Sequence, residues 1–176
     1  MTNRLVPLLV IAALSCACDS DDPAADAGPA ATTDAGGGVD SGPPIAGMAV
    51  LTGAVSRTAE PMADGVGGLY IAVFDRDPVS DPDNAMAVGM VVVEDVDMTD
   101  PSTTVDYTVM GIPPRTDPYF VTAFLDDNDN ATMSADAGPD RGDLVAIEGV
   151  ASSPRVTLDA ADTFELDLVL NFNLPF

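Results

Sequence analysis

The chain has 176 residues, of which 29 are Asp or Glu and six are Lys or Arg, and its formal net charge is −23. So acidic a surface excludes nucleic-acid binding, which needs cationic groups to displace counterions from phosphate, and it disfavours direct adsorption to anionic lipid headgroups. There is no His, and both cysteines, Cys16 and Cys18, lie near the N-terminus. Ser-His-Asp and Cys-His catalysis and His-ligated zinc are therefore excluded for the rest of the chain, and we expect no enzyme.

The N-terminal segment, residues 1–18, has the order of a bacterial export signal. Arg4 supplies a positive charge, and about 10 apolar residues, Leu5–Leu14, follow it. That run is about half of the roughly 20 residues that a membrane-spanning helix needs, so we expect it to be cleaved away. The small residues before Cys16 and Cys18 resemble the lipobox of bacterial lipoproteins. The resemblance implies lipidation at Cys16, with Cys18 as the alternative, and an ordinary secretory signal is the competing interpretation.

A lipidated cysteine would attach the exported chain to a membrane of the cell envelope, in a leaflet that the sequence does not identify. Residues 19–46 are dominated by Ala, Gly, Pro, Thr and Asp, a composition that cannot bury enough apolar surface to offset the entropy of ordering. This segment is predicted to be a disordered acidic tether. Residues 47–176, about 130 in number, suffice for one domain with one core, which we expect to be monomeric.

From Met48 onward, short apolar runs alternate with Gly, Pro and Asp, a pattern typical of strands and turns. Six strands are predicted from these runs: Met48–Ser56, Leu69–Asp75, Ala87–Glu94, Val105–Gly111, Tyr119–Leu125 and Leu144–Gly149. The second and the fifth are apolar on both faces, so we expect them at the centre of a sheet and covered on both sides. Pro and Gly interrupt every window in which an amphipathic helix would fit.

The C-terminal segment has the clearest periodicity of the chain. Between Phe164 and Leu174, large apolar residues occupy every second position: Phe164, Leu166, Leu168, Leu170, Phe172 and Leu174. A period of two predicts one long final strand with one buried face, as in an antiparallel sheet. About seven short strands in all predict an all-β fold, a single antiparallel β-sandwich.

Two stretches of this domain resemble the transthyretin-like sandwiches. They are Leu51-Thr52-Gly53-Ala54-Val55 and Tyr107-Thr108-Val109-Met110-Gly111-Ile112-Pro113-Pro114, the latter followed by Tyr119-Phe120-Val121-Thr122. The family includes carboxypeptidase regulatory-like domains and collagen-adhesin B-type repeats. The resemblance spans residues 50–125, although the turn before Tyr119 is longer than is usual in the family. It implies a transthyretin-like fold and a non-catalytic structural or binding role; the alternative is a carbohydrate- or peptide-binding subunit of an envelope complex.

The strongest candidate for chemistry is the oxygen-rich loop that follows the fifth strand. Asp126, Asn128 and Asn130 stand at positions 1, 3 and 5 of a calcium loop of the EF-hand type, and the next candidate ligands are Thr132, Ser134 and Asp136. Ala131 replaces the usual Gly at position 6, and Ala137 stands where a bidentate carboxylate belongs. Asp140 and Asp143 are placed to complete a non-standard shell. The sequence thus predicts a calcium site, against the alternative of a solvated acidic loop.

A second acidic loop follows the second predicted strand. Residues 75–84 contain four aspartates together with Arg76 and two prolines. Loops at one end of a sandwich cluster, so this loop is a weaker candidate for a contribution to the same metal site, and a rigid turn is the alternative.

Overall fold

The computed structural model describes residues 43–131, 138–149 and 151–175. Within these ranges the chain has no helix and ten strands: β1 Ala49–Arg57, β2 Val66–Phe74, β3 Ala87–Asp97, β4 Val105–Ile112, β5 Arg115–Leu125, β6 Leu144–Val145, β7 Arg155–Leu158, β8 Thr163–Glu165, β9 Leu168–Leu170 and β10 Phe172–Asn173. The strands form two sheets that share one core. The predicted all-β sandwich is therefore confirmed.

The first sheet has the order β4-β1-β8, and β9 also pairs with β1. β1 and β4 are antiparallel, with Leu51 opposite Val109 and Val55 opposite Val105. The second sheet has the order β10-β6-β5-β2-β3, and β7 pairs with β5. β2 and β5 lie at its centre, as their apolar sequences predicted.

The core lies between the inner faces of the two sheets. Leu51 and Val109 from the first sheet and Ile71 and Val121 from the second are fully buried in one cluster. These residues alternate along their strands with less buried ones, because successive side chains of a strand point to opposite faces. Each such side chain contributes roughly 1.5–3 kcal/mol of hydrophobic stabilisation.

The outer face of the second sheet differs from what its sequence predicted. The sequence predicted that β2 and β5 would be buried on both faces, but their burial is complete only on the inner face. On the outer side, Tyr70 and Phe124 pack with Val145 in a smaller cluster of their own, while Phe74 and Phe120 are only partly buried. Loops, and no further sheet among the described residues, cover this face.

The prediction of one long final strand is wrong in its continuity and in the burial of its last part. The segment 163–173 is divided into β8, β9 and β10, and the first two run parallel to β1 while β10 is antiparallel to β6 in the other sheet. Leu168 and Leu170 are buried as predicted, but Phe172 is 40% exposed. The chain crosses from one sheet to the other, so the face that was buried beside β1 becomes an outer face beside β6.

Side chains that pair with the backbone explain both interruptions. Oδ1 of Asp167 accepts the backbone N–H of Ala54 at 2.9 Å, between β8 and β9. Beyond β9, the carboxamide of Asn171 accepts the N–H of Ile147 at 3.1 Å and donates to its carbonyl at 2.9 Å. These polar side chains replace ladder bonds of the strand, which a period-two pattern of apolar residues does not reveal.

Two smaller differences concern the segment before β8. The predicted strand Leu144–Gly149 is limited to β6, and Glu148 forms only an isolated bridge with Ser152. β7 was not predicted, and it adds to β5 beside Tyr119 and Phe120.

Candidate metal centre

The chain leaves the core at the end of β5 and turns at once into the oxygen-rich loop. Asp126 is 2% exposed, and its backbone N–H donates to the carbonyl of Gly68 at 2.9 Å. Its carboxylate accepts the backbone N–H groups of Asn130 at 3.1 Å and Ala131 at 2.8 Å. These bonds hold a tight turn in which Asp129 has a φ of +52°. The Asp126 carboxylate therefore stabilises the turn of the loop.

Asp127 points to a different part of the fold and was not predicted as a functional residue. Its two carboxylate oxygens accept the backbone N–H groups of Ala63 and Gly65, both at 2.6 Å. The side chain is buried and joins the segment before β2 to the end of β5. Charge-assisted bonds of this kind are about twice as strong as neutral ones, so Asp127 has a structural role.

Two asparagines of the loop reach across to Asp140. Nδ2 of Asn128 donates to Oδ1 of Asp140 and to the carbonyl of Arg141, both at 3.0 Å, and Nδ2 of Asn130 donates to Oδ2 of Asp140 at 2.8 Å. The spacing of two residues places both carboxamides on one side of the turn. Five oxygen-bearing side chains thus form a group that we call the acidic cluster: Asp126, Asn128, Asn130, Asp140 and Asp143.

Asp143 is the most unusual member of the acidic cluster. It is fully buried, at 0% exposure, and its Oδ2 accepts the backbone N–H of Asp140 at 2.8 Å. Its Oδ1 is buried and has no hydrogen-bond partner among the described residues. Burial first, and then the negative charges of Asp140 and Asp126, raise the pKa of Asp143 to about 6 from 3.8, against the opposing effect of the backbone N–H groups of Asp140 and Asp127.

Part of the predicted ligand set lies outside the described residues. This applies to Thr132, Ser134 and Asp136, and likewise to Cys16 and Cys18 at the N-terminus. Of the predicted ligands that are described, Asn128 and Asn130 are joined through Asp140, and Asp126 holds the turn beneath them.

Carboxylates alone do not make a metal site in the described part of the chain. There, no group of three or more His, Cys, Asp or Glu side chains is arranged to hold a metal ion. Ion binding at the acidic cluster would therefore also have to use amide and carbonyl oxygens, which are ordinary ligands of Ca²⁺. No described helix is both long and apolar enough for a membrane span.

In the second acidic loop, residues 75–84, the carboxylates of Asp75, Asp77 and Asp81 accept hydrogen bonds. Oδ1 of Asp77 accepts the N–H of Val79 at 3.0 Å and the hydroxyl of Ser153 at 3.2 Å. Asp81 accepts hydrogen bonds from Arg76 at 3.3 Å and Asn84 at 2.6 Å, which lower its pKa, the bond from Asn84 most. The loop is thus built as a rigid turn. Within the described residues, no hydrogen bond connects it to the acidic cluster.

Comparisons with family models, curated proteins and solved structures find no match to this chain.

Proposed function

We propose that the chain is an exported lipoprotein of the cell envelope whose β-sandwich has a non-catalytic structural or binding role and holds a Ca²⁺ ion at the acidic cluster. The anchor rests on the order of Arg4, the apolar run Leu5–Leu14 and the cysteines behind small residues, with Cys16 preferred to Cys18. The absence of His from the sequence supports a role without acid–base or nucleophilic catalysis.

We further propose that the sandwich is of the transthyretin-like kind. Supporting this are the quoted stretches, which lie in β1, β4 and β5, and the turn between β4 and β5. There the hydroxyl of Tyr119 donates to the carbonyl of Pro113 at 2.6 Å, so the Tyr and Pro positions that carry the resemblance are in contact.

The observation that carries the calcium proposal is the buried Oδ1 of Asp143, which lacks a partner among the described residues. An uncompensated buried carboxylate costs free energy, and such groups are normally paired with a cation or a metal. Asp140 and Asp126 raise its pKa further through their own charges. A divalent cation bound by Asp143 and Asp140, together with amide and carbonyl oxygens, would compensate the buried charge of Asp143.

The cluster offers the mixed oxygen set that Ca²⁺ accepts. Asp140 and Asp143 supply carboxylate oxygens, and Arg141 supplies a carbonyl. Asn128 and Asn130 now direct Nδ2 toward Asp140, and a half-turn of each carboxamide would present Oδ1 instead. Ca²⁺ takes six to eight oxygens in flexible geometry, and water would fill the remaining positions.

Calcium binding is tested directly by titration calorimetry on the purified full chain, first treated with a chelator. We expect one site with a dissociation constant of roughly 0.1–1 mM, as in extracellular modules. Asp143→Asn should abolish the binding, whereas Asp106→Asn, which removes an equal charge from an exposed position on β4, should preserve it. Equal heats from both variants and the wild type would refute a specific site.

The anchor has its own test, independent of calcium. Cells that express the chain are labelled with a clickable palmitate analogue, and Cys16→Ser, Cys18→Ser and the double variant are compared. We expect label on the wild type and none on the double variant, and the single variants identify the lipidated cysteine. Undiminished labelling of the double variant would disprove the lipoprotein proposal.

A further inference from the structure

The outer face of the second sheet carries an apolar layer of its own. The rings of Tyr70 and Phe124 stack with their centroids 4.7 Å apart and their planes 2° from parallel. They are 8% and 4% exposed and belong to a cluster separate from the main core. Thr122 on β5 and Met90 on β3 extend this layer, since they lie on the same face of the sheet as Phe124 and Tyr70.

A groove runs over this layer, formed by two adjoining depressions of about 260 and 380 Å³. Both are lined by Val79, Thr122, Phe124 and Pro139. The smaller depression continues to Tyr70, Phe74 and Met90, and the larger one continues to Ile147, Phe172 and Leu174. Pockets of such a size, lined mainly by apolar side chains, are typical of binding sites. We call this pair of depressions the outer groove.

Several side chains of the outer groove remain in contact with solvent. Val79 is 54% exposed, Met90 52% and Phe172 40%. Single exposed apolar residues are normal on a protein surface, but several along one groove indicate a surface that a partner covers.

One end of the outer groove is strongly acidic. Tyr70 also lines a third depression, of about 230 Å³, together with Glu94, Asp95 and Asp129. Burial and then the negative charges of Asp126, Asp129 and Glu94 raise the pKa of Tyr70. An occupant that matches this surface carries apolar groups and, at one end, a positive charge. A second copy of the chain matches poorly, because each copy has a net charge of −23 and like charges repel.

We propose that the outer groove binds an extended peptide segment of a partner protein in which apolar side chains are flanked by Lys or Arg. The apolar side chains would lie on Phe124 and between Val79 and Phe172. The cationic group would reach past Tyr70 to Glu94 and Asp129. Complementary charge of this kind fixes the register of a partner and accelerates its association.

The chain has no Trp, so the fluorescence of a Trp-containing ligand can be followed without background. The probe is the acetylated peptide Lys-Leu-Trp-Leu-Lys, titrated with the full chain in the presence of a chelator, which keeps the result independent of calcium. We expect a saturable blue shift of the Trp emission. The same peptide with Glu in place of Lys should not bind.

Val79→Arg places a long cation inside the outer groove, and Met62→Arg makes the same charge change at a residue that is 60% exposed and lies outside the groove. We expect Val79→Arg to weaken binding at least about 10-fold and Met62→Arg less than about 3-fold, the size of a rim charge effect. Melting temperatures verify that both variants fold. If Val79→Arg does not fold, Met90→Arg takes its place, and we expect the same weakening of binding from it.

Three results would overturn the proposal. Equal weakening by Val79→Arg and Met62→Arg would mean that the acidic protein attracts the peptide without using the groove. Equal binding of the Glu peptide would mean that the partner is not cationic. A dimer of the wild type in sedimentation velocity that Val79→Arg dissociates would assign the groove to a second copy of the chain.

Discussion

The two acidic loops of this sandwich look alike in sequence and differ in how their charges are compensated. In residues 75–84, Asp77 is held by Val79 and Ser153, and Asp81 is paired with Arg76. In the acidic cluster, Asp143 keeps a buried oxygen without a partner among the described residues. The carboxylates of Asp77 and Asp81 thus have partners within the fold, whereas Asp143 has a buried oxygen without one among the described residues. An acidic sequence alone therefore does not reveal which carboxylates are compensated.

The largest effect that sharpens this comparison is expected from Asp127→Ala, whose side chain lies next to the acidic cluster in sequence but is not one of the proposed ligands. The change leaves the N–H groups of Ala63 and Gly65 without their acceptor and should cost about 3 kcal/mol in the free energy of unfolding. Urea unfolding measures the loss. A calcium-dependent stabilisation that persists in the variant would separate this structural carboxylate from the acidic cluster, and a loss below about 1 kcal/mol would show that Asp127 contributes little.

A gain of stability is expected from Asp143→Asn in the absence of calcium. The raised pKa, about 6 against 3.8, means that the ionised carboxylate disfavours the folded state at neutral pH. Between pH 6 and pH 4 the folded state binds a proton at Asp143 that the unfolded state does not. The wild type therefore gains stability as the pH falls from above 6 toward 4. Asn has no charge to bury, so the variant should be more stable by about 2 kcal/mol at pH 7.5 and close to the wild type at pH 4.

Chelator-treated protein in urea at the two pH values provides the measurement. Asp106→Asn is the matched control, because it removes the same charge from an exposed position. A variant Asp143→Asn that is less stable than the wild type at pH 7.5 would contradict the unpaired-charge account.

A smaller loss is expected from Asp77→Ala in the second acidic loop, residues 75–84. The N–H of Val79 and the hydroxyl of Ser153 lose their acceptor, at a cost of about 2 kcal/mol. Because this loop is complete without an ion, the loss should be the same in calcium and in chelator. Rescue of Asp77→Ala by calcium would break the comparison, since it would make residues 75–84 an ion site as well.

Local patterns in the sequence were sufficient for the central part of the fold. Apolar runs on both faces placed β2 and β5 at the centre of a sheet, and the alternation of Leu168 and Leu170 placed β9 against the core. The break of the final strand depends on Asp167 and Asn171 pairing with the backbone of Ala54 and Ile147. Such contacts join residues far apart in the chain, so no local period predicts them.

Some features of the candidate site could likewise be predicted from the sequence, and others could not. The spacing of Asn128 and Asn130 predicted that they would share a direction, and both meet Asp140. The full burial of Asp143 was not predictable, because it depends on the close approach of the C-terminal segment, where the N–H of Leu174 donates to the carbonyl of Asp143 at 3.0 Å. Asp127 was missed, because neighbouring aspartates in sequence gave no sign that one turns toward Ala63 and Gly65.

The most direct test of the proposal that the acidic cluster binds Ca²⁺ is the melting temperature in Ca²⁺ against Mg²⁺ at equal ionic strength, for the wild type and Asp143→Asn. With about 1 mM Ca²⁺ and a dissociation constant near 0.1 mM, linkage gives about 1.4 kcal/mol, a rise of several degrees for a domain of this size. Both ions screen the net charge of −23 equally, so the difference between them isolates the site. We predict a higher melting temperature in Ca²⁺ for the wild type alone; equal melting temperatures in the two ions would contradict the account.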